Sequence, residues 1–416
     1  KMKQVVIGIF FTVLCWKLGF TQDSLYPRYI INALGSDKFL GRGYVNRGDL
    51  KAARFIAKEL KLMAINPILK TYYQNLSFPI NSFPGTMSVT LGAIPLNAVA
   101  DFVVAPDCPS VRGTFELVYL PQSCDTNDRV FDSLKNVNYS GKIVVVPFIK
   151  RNWKIENPFQ SAGWIIPKKT IYWWASTGHQ EAKSPQLFIQ DSLLAGKPDR
   201  IELDIKNQFF PEYTTQNVLG FVKGSQLPDS FIVFTAHYDH LGVMGKNNVF
   251  HGANDNASGT SMVLALASYF SKPENKPKYS IAFLFFAAEE SGVLGSMYYV
   301  SNPAFPLSQI KALINLDMVG SGSEGISIVN GEANPFIVNQ IKALNLKNNY
   351  VSDIRIGGES CNSDHCYFHK AGVPAVFIFT RGPECKEYHN LKDIPETLPL
   401  TKFTELKKML IDLTIQ

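Results

Sequence analysis

The sequence predicts an α/β protein: a mainly parallel sheet buried on both faces by helices, with a small β-rich domain inserted. Two features lead there. After about residue 206, nearly continuous apolar strands alternate with helical segments, the pattern of strands covered on both sides. From about 99 to 205 the chain instead shows short β-rich runs broken by Pro, Asn and Asp turns. With 416 residues, 46% hydrophobic and 18% charged, the chain is long and apolar enough for one large core or two modest ones.

In chain order, residues 1–21 read as an export signal. Lys1 and Lys3 precede an apolar run from Val5 to Trp16, and Gly19-Phe-Thr21 puts small residues at −3 and −1 before Gln22. Cleavage after Thr21 and export to the periplasm or the extracellular space are expected. The run is shorter than the roughly 20 residues a spanning helix needs, and a large Leu14 before Cys15 argues against a lipoprotein site. No stable membrane span is expected elsewhere. Residues 22–98 contain an amphipathic helix, Asp49–Lys61, with apolar positions at 50, 53, 55, 56 and 60 and Asp49 as N-cap. Residues 99–205 form the insert, with a strand in Gly141–Phe148; Trp153, Trp164, Trp173 and Trp174 are read as its core rather than as a lid. Beyond 206 come strands at Phe231–Ala236, Ile281–Phe286, Ala312–Leu316 and Ala375–Phe379, with helices at Ser258–Phe270 and Val293–Val300.

Charge and cysteine usage exclude some classes. Lys plus Arg total 41 against 35 acidic residues, and the +6 excess is spread along the chain, so no nucleic-acid partner is expected. The cysteine spacings match no structural zinc site. In an oxidising compartment Cys361 and Cys366 are the favoured disulfide pair.

The chemistry lies at the carboxyl ends of the strands. The first leads into His237-Tyr-Asp-His240, the second into Glu289-Glu290, the third into Asp317 and the fourth toward Tyr388-His389. Ligands of open α/β sheets bind outside the carboxyl ends of the strands, so these residues should converge. Gly252-Ala-Asn-Asp255-Asn-Ala-Ser-Gly259 places a further acid in a turn before a helix. Imidazoles and carboxylates together suit divalent transition metals, zinc first. Clustered carboxylates repel one another unless cations neutralise them. Alternation along a strand would point Glu289 and Glu290 to opposite faces and give them different roles.

Six segments carry a resemblance: His237-Tyr-Asp-His240, the Gly252–Gly259 turn, Ala288-Glu-Glu-Ser-Gly292, Asn315-Leu-Asp-Met-Val-Gly320, Ser363-Asp-His365 and Tyr388-His-Asn390. Together they resemble the co-catalytic di-zinc aminopeptidases, a family that includes bacterial leucyl aminopeptidase and the glutamate carboxypeptidases. The match runs over about 206–400, with a weaker one at Phe39-Leu-Gly-Arg-Gly43 and the helix after Asp49. The insert is similar to a protease-associated domain. The resemblance implies a three-layer sandwich around a mainly parallel mixed sheet, with a discontinuous catalytic domain (22–98 and 206–416) interrupted by the insert.

It also implies two zinc ions per chain. Asp255 would bridge them, His237 and Asp317 would bind one, and Glu290 and His389 the other. Glu289 would be the general base, and Asp239 would orient His237. The peptide bond after Asp255 is expected to be cis. Asn254 departs from the Asp of many relatives, which should alter charge near the site and leave the ligands intact. His240, His251, His365 and His369 are read as hydrogen-bonding or packing residues. Asn75, Asn138 and Asn256 fit the glycosylation pattern, and the last, inside the ligand turn, shows how readily that pattern arises.

The implied function is peptide hydrolysis on peptide substrates, first as an aminopeptidase. Rival readings are a carboxypeptidase or dipeptidase of the same fold, a glutaminyl cyclase with a single zinc, and a peptide-binding protein with a dead site.

Overall fold

The structure, a computed structural model, describes residues 25–124, 128–147, 157–176 and 178–415. The export segment 1–21, Cys15 and Trp153 lie outside the described residues. Among those described, no helix is long and apolar enough to cross a membrane.

The main sheet has nine strands. From one edge the order is Asn66–Pro67, Gln208–Val222, Tyr279–Phe286, Leu227–His237, Ile310–Leu316, Ala375–Thr380, Ile326–Val329 and Ile354–Ile356, with Tyr73–Ser82 also paired to Gln208–Val222. The four central strands, 279–286, 227–237, 310–316 and 375–380, are parallel. Antiparallel neighbours at 208–222 and 326–329 make the sheet mixed.

Alternating side chains divide the central strands between two apolar layers. Ile232, Phe234 and Ala236 join one core with Phe283, Ile314 and the helices Gly48–Leu62, Gly259–Phe270, Pro335–Asn348 and Phe403–Ile415. Phe231 and Val233 join the opposite core with Leu284, Leu313, Tyr299 and Phe368. Burial of each large side chain contributes about 1.5–3 kcal/mol. Dry burial on both faces fixes the strands that carry the site.

The helix Gly48–Leu62 begins one residue before Asp49, which is therefore not its N-cap. Asp49 is buried and accepts hydrogen bonds from Tyr213 Oη and Thr215 Oγ1, both 2.7 Å, tying the helix to the Gln208–Val222 strand.

A second sheet of eight strands runs Ile94–Leu96, Met87–Leu91, Arg200–Ile205, Val111–Tyr119, Lys142–Val145, Gly163–Lys168, Gln186–Gln190 and Phe102–Val104. It includes Met87–Leu91 and Ile94–Leu96, which lie before the boundary expected at 99. Trp164 and Trp173 are buried in its core, and Trp174 packs partly buried against it. That core continues into Leu241, Met244 and Phe250, of the segment that follows His237 and includes the short hairpin Gly242–Met244 and Asn248–Phe250. Cys361 and Cys366 form the expected disulfide.

Candidate metal centre at the sheet rim

Parallel register places the candidate ligands level with one another. His237 ends its strand beside Phe286, and Thr235 lies beside Asn315, so two residues further on His237 and Asp317 emerge at one height. Asp255 comes from the turn Ala253–Ser258, whose backbone leaves helical geometry at Asp255 (φ −105°, ψ 98°) and Asn256. Gly252, at φ 57°, starts that turn in the left-handed region that favours glycine. The Asp255–Asn256 peptide is cis, as the resemblance implied. His389 arrives from the loop after the Ala375–Thr380 strand.

The side chains meet in two groups around Asp255. His237 Nε2 lies 3.4 Å from Asp255 Oδ1 and 3.3 Å from Asp317 Oδ1. His389 Nε2 lies 3.1 Å from Asp255 Oδ2 and 3.3 Å from Glu290 Oε2. Two ligand atoms bound tetrahedrally at about 2.0–2.1 Å from one zinc ion are separated by about 3.3–3.4 Å. The observed separations suit that arrangement, and each group uses a different oxygen of Asp255. Asp317 Oδ1 is buried and has no hydrogen-bond partner, an orphan that a cation would satisfy. The residues therefore fit two zinc ions, with His237 and Asp317 able to hold one, Glu290 and His389 the other, and Asp255 both.

His240 also lies close enough to be a ligand, within a group formed with Asp255 and Glu290. Its Nδ1, however, is 2.8 Å from Glu290 Oε1, the oxygen turned away from His389, which is a hydrogen bond that orients Glu290. The other histidines read as non-ligands contact backbone or surface groups: His251 Nδ1 reaches Gly35 O, His365 Nε2 reaches Ser360 O, and His369 pairs with Glu359.

Glu289 and Glu290 lie beyond the end of the strand at Phe286, in a turn where Ala288 has φ 57°. Strand alternation therefore does not separate their roles; the turn does. Asp239 accepts the backbone N–H groups of Glu289 and Glu290 at 3.1 and 3.3 Å. His237 Nδ1 faces the Asp239 backbone carbonyl at 3.2 Å, with the carboxylate further away at 3.7 Å. Asp239 thus supports His237 through its carbonyl and the two glutamates through its carboxylate.

Several supporting residues take their roles from remote partners that the sequence does not reveal. Arg42 is fully buried and donates to the carbonyls of Leu34, Tyr238, His251, Gly252 and Asp255. Burial lowers its pKa to about 10, opposed by the charges of Asp255, Asp393, Asp239 and Glu290. Asp393 accepts the N–H groups of Asn254 and Asp255 at 2.8 and 3.0 Å. Thr235 donates to Asn315, Asn315 to Ser363, and Ser363 to Asp317 Oδ2 at 2.8 Å. Asn254 Oδ1 accepts the Gly320 N–H, a role an aspartate oxygen could also fill, so this bond does not explain the departure. Asn256 is fully buried, with its amide bonded to Leu316 O, Gly259 N and Met318 N, leaving no room for a glycan. Asn75 and Asn138 are exposed.

Removal of Arg42 leaves buried carbonyls short of a donor, while Gly252 O keeps the Ala257 N–H. Arg42→Met is expected to lose about 3–5 kcal/mol of stability, read by urea unfolding; a loss below about 1 kcal/mol would show that the turn holds without it.

The electrostatics have a definite sign. Burial alone would lower His389, but Glu290 and Asp255 raise it to about 11. Burial likewise opposes protonation of His237, while Asp317, Glu289, Asp239 and Asp255 hold it well above the ordinary imidazole value. Burial would raise Asp255 and Glu290, yet the neighbouring histidines hold Asp255 well below the carboxylate range and Glu290 at about 2. The metal-free chain thus carries protonated imidazoles at neutral pH, whereas a metal needs them neutral. Zinc uptake is expected to release protons, and affinity should fall as pH falls. Calorimetry in buffers of different ionisation enthalpy measures the release; a buffer-independent heat would contradict it.

Glu289 differs from its neighbours. Burial, Glu290, Asp364 and Asp317 raise it well above the carboxylate range, against the opposing charge of His237. It lines a cavity of about 220 Å³ together with the candidate ligands and Met318, Asn362, Phe377, Phe379 and Tyr388. The Tyr388 ring stacks on the His389 imidazole with centroids 3.8 Å apart.

Residues 217–414 match Peptidase family M28. Over 211 residues the chain is 34% identical to Aminopeptidase YwaD of Bacillus subtilis, a stretch covering 46% of this chain and 42% of YwaD. Over 315 residues it is 26% identical to Probable aminopeptidase YDR415C of Saccharomyces cerevisiae, covering 71% and 77%. The chain thus spans less than half of YwaD and about three quarters of the yeast protein. Among solved structures, an aminopeptidase from Aneurinibacillus sp. strain AM-1 superposes with a TM-score of 0.68 over 93% of this chain and 92% of its own, at 20% identity. BSAP, a zinc aminopeptidase from Bacillus subtilis, gives 0.67 over 93% of each chain, also at 20% identity. These two likenesses establish the fold.

Proposed function

We propose, from the match of residues 217–414 to Peptidase family M28, that this chain is a zinc-dependent aminopeptidase, releasing the N-terminal residue of peptide substrates. The observation that carries the proposal is Asp255, whose two oxygens face two histidines, each group completed by another carboxylate.

Two zinc ions held by these residues would supply a water of lowered pKa and Lewis-acid polarisation of the scissile carbonyl. The chain's own part begins with Glu289, which takes the proton of the attacking water on its carboxylate and passes it to the leaving amine. Its carboxylate lines the cavity without belonging to either ligand group, so it is free to accept that proton. Asp239 holds the turn that aims Glu289. Met318, Phe377, Phe379 and Tyr388 offer apolar surface to the side chain of the departing residue. None of the described residues lining the cavity is Lys or Arg, so nothing there pairs with a substrate's terminal carboxylate. That favours amino- over carboxy-exopeptidase action.

The insert is taken as a protease-associated-like domain and the interrupted remainder as the catalytic domain. Export is inferred from residues 1–21, and a disulfide at Cys361–Cys366 suits an oxidising compartment. The purified chain, assayed with amino-acid anilides, N-acetylated anilides and peptides with a readable C-terminus, is expected to cleave only substrates with a free amine. Cleavage of blocked anilides or release from the C-terminus would refute the assignment. One zinc per chain with cyclisation of N-terminal glutamine would instead identify a glutaminyl cyclase.

A further inference from the structure

The two halves of the centre are supported by different parts of the chain. His237 ends a strand paired on both sides, and Asp317 comes just after a neighbouring strand with its Oδ2 held by Ser363. His389 and Glu290 instead lie on loops, and each loop is touched by the inserted domain. The backbone N–H of Trp173 donates to the His389 carbonyl at 3.2 Å. His179 Nε2 lies 2.8 Å from the carbonyl of Ser291, the residue after Glu290, while its Nδ1 lies 3.0 Å from Pro79 O.

Both residues are anchored. The Trp173 indole is buried, donates from Nε1 to Val104 O at 2.9 Å, and packs against Phe83 and Phe250. Phe78 packs edge-on against the His179 ring, and Asn81 N donates to the adjacent Gly178 carbonyl at 2.7 Å. Among the described residues, no hydrogen bond runs from the insert to the backbone or side chain of His237 or Asp317; its contact on that side is apolar, through Leu241 and Phe250.

We propose that the inserted domain is a positioning element for one metal position only: through Trp173 and His179 it holds the loops of His389 and Glu290, while the position at His237 and Asp317 is left to the sheet. The inference rests on the two-zinc reading above. Misplacing groups that orient metal ligands typically costs 10–100-fold in affinity, and because these contacts act through backbone carbonyls the lower end applies.

The test is stepwise zinc titration of the full chain against a competing chelator, for the unaltered protein and for His179→Ala, His179→Gln, Trp173→Phe and Ser363→Ala. His179→Ala and Trp173→Phe should weaken one zinc about tenfold and leave the other unchanged. His179→Gln, which keeps an amide N–H within reach of a carbonyl, should recover part of the loss. Ser363→Ala should weaken the other zinc. Thermal melting of the zinc-free variants identifies any that fail to fold; Trp173→Phe keeps its backbone N–H to His389 O and disturbs only the indole anchor, so the folded His179 variants decide. Equal weakening of both zincs, or of neither, by the folded His179 variants overturns the inference. Uptake of fewer than two zinc ions by the unaltered chain overturns the two-zinc reading instead.

Discussion

Glu289→Gln is expected to lower kcat by about 10²–10⁴-fold with zinc content and fold unchanged. Glutamine keeps the size of the side chain and removes the site that accepts the proton. The backbone N–H of residue 289 still donates to Asp239, so the turn carrying Glu290 should hold its place. The expected signature is a fall in kcat with KM little altered, because the lost interaction belongs to the transition state. Glu289 lines the cavity but belongs to neither ligand group, which is why metal content should not change with activity. Retained turnover would reassign the base, and lost zinc would make Glu289 a ligand.

Asp255→Ala is expected to have the opposite signature: zinc uptake falls from two ions to fewer than one per chain, and activity falls with it. Both imidazoles lose their shared carboxylate at once, since Asp255 faces His237 through one oxygen and His389 through the other. No nearby side chain can replace it, because Glu290 and Asp317 each reach only one of these two histidines. Zinc should then no longer raise the melting temperature, since a ligand stabilises only what it binds. Equilibrium dialysis and melting with and without zinc check both halves. Two tightly held ions in Asp255→Ala would remove the bridging role.

The parts legible in the sequence are those set by local pattern. The runs Phe231–Ala236 and Ile281–Phe286 could be read as strands because both their faces are buried, and the polar residues at their ends then pointed to a single rim. The long Gln208–Val222 strand was not legible. Its pairing with Tyr73–Ser82 is half exposed and shifts register between Phe210 and Tyr213, which blurs any periodicity. The core-facing helices Pro335–Asn348 and Phe403–Ile415 lead into no polar motif, so nothing local ties them to the rim.

The supporting residues were less visible because their partners are remote. Arg42 sits in the Phe39–Gly43 motif, yet no local pattern reveals that it clamps a turn more than two hundred residues away. Its neighbour Gly41 has φ 58°, and a Cβ there would lie 2.3 Å from the Gly242 and Phe250 carbonyls, so a glycine is required to wedge Arg42 into place. His179 belongs to no motif. Its significance comes from the insert's meeting with the Glu290 loop, a tertiary contact without a sequence signature.

The most direct test of the account is zinc titration of chelator-stripped protein with hydrolysis of an amino-acid anilide monitored at each addition. No turnover is expected in the stripped chain, with recovery on zinc addition and binding that saturates at two ions per chain. Turnover that survives complete removal of metal, or a chain that binds no zinc at all, would contradict it.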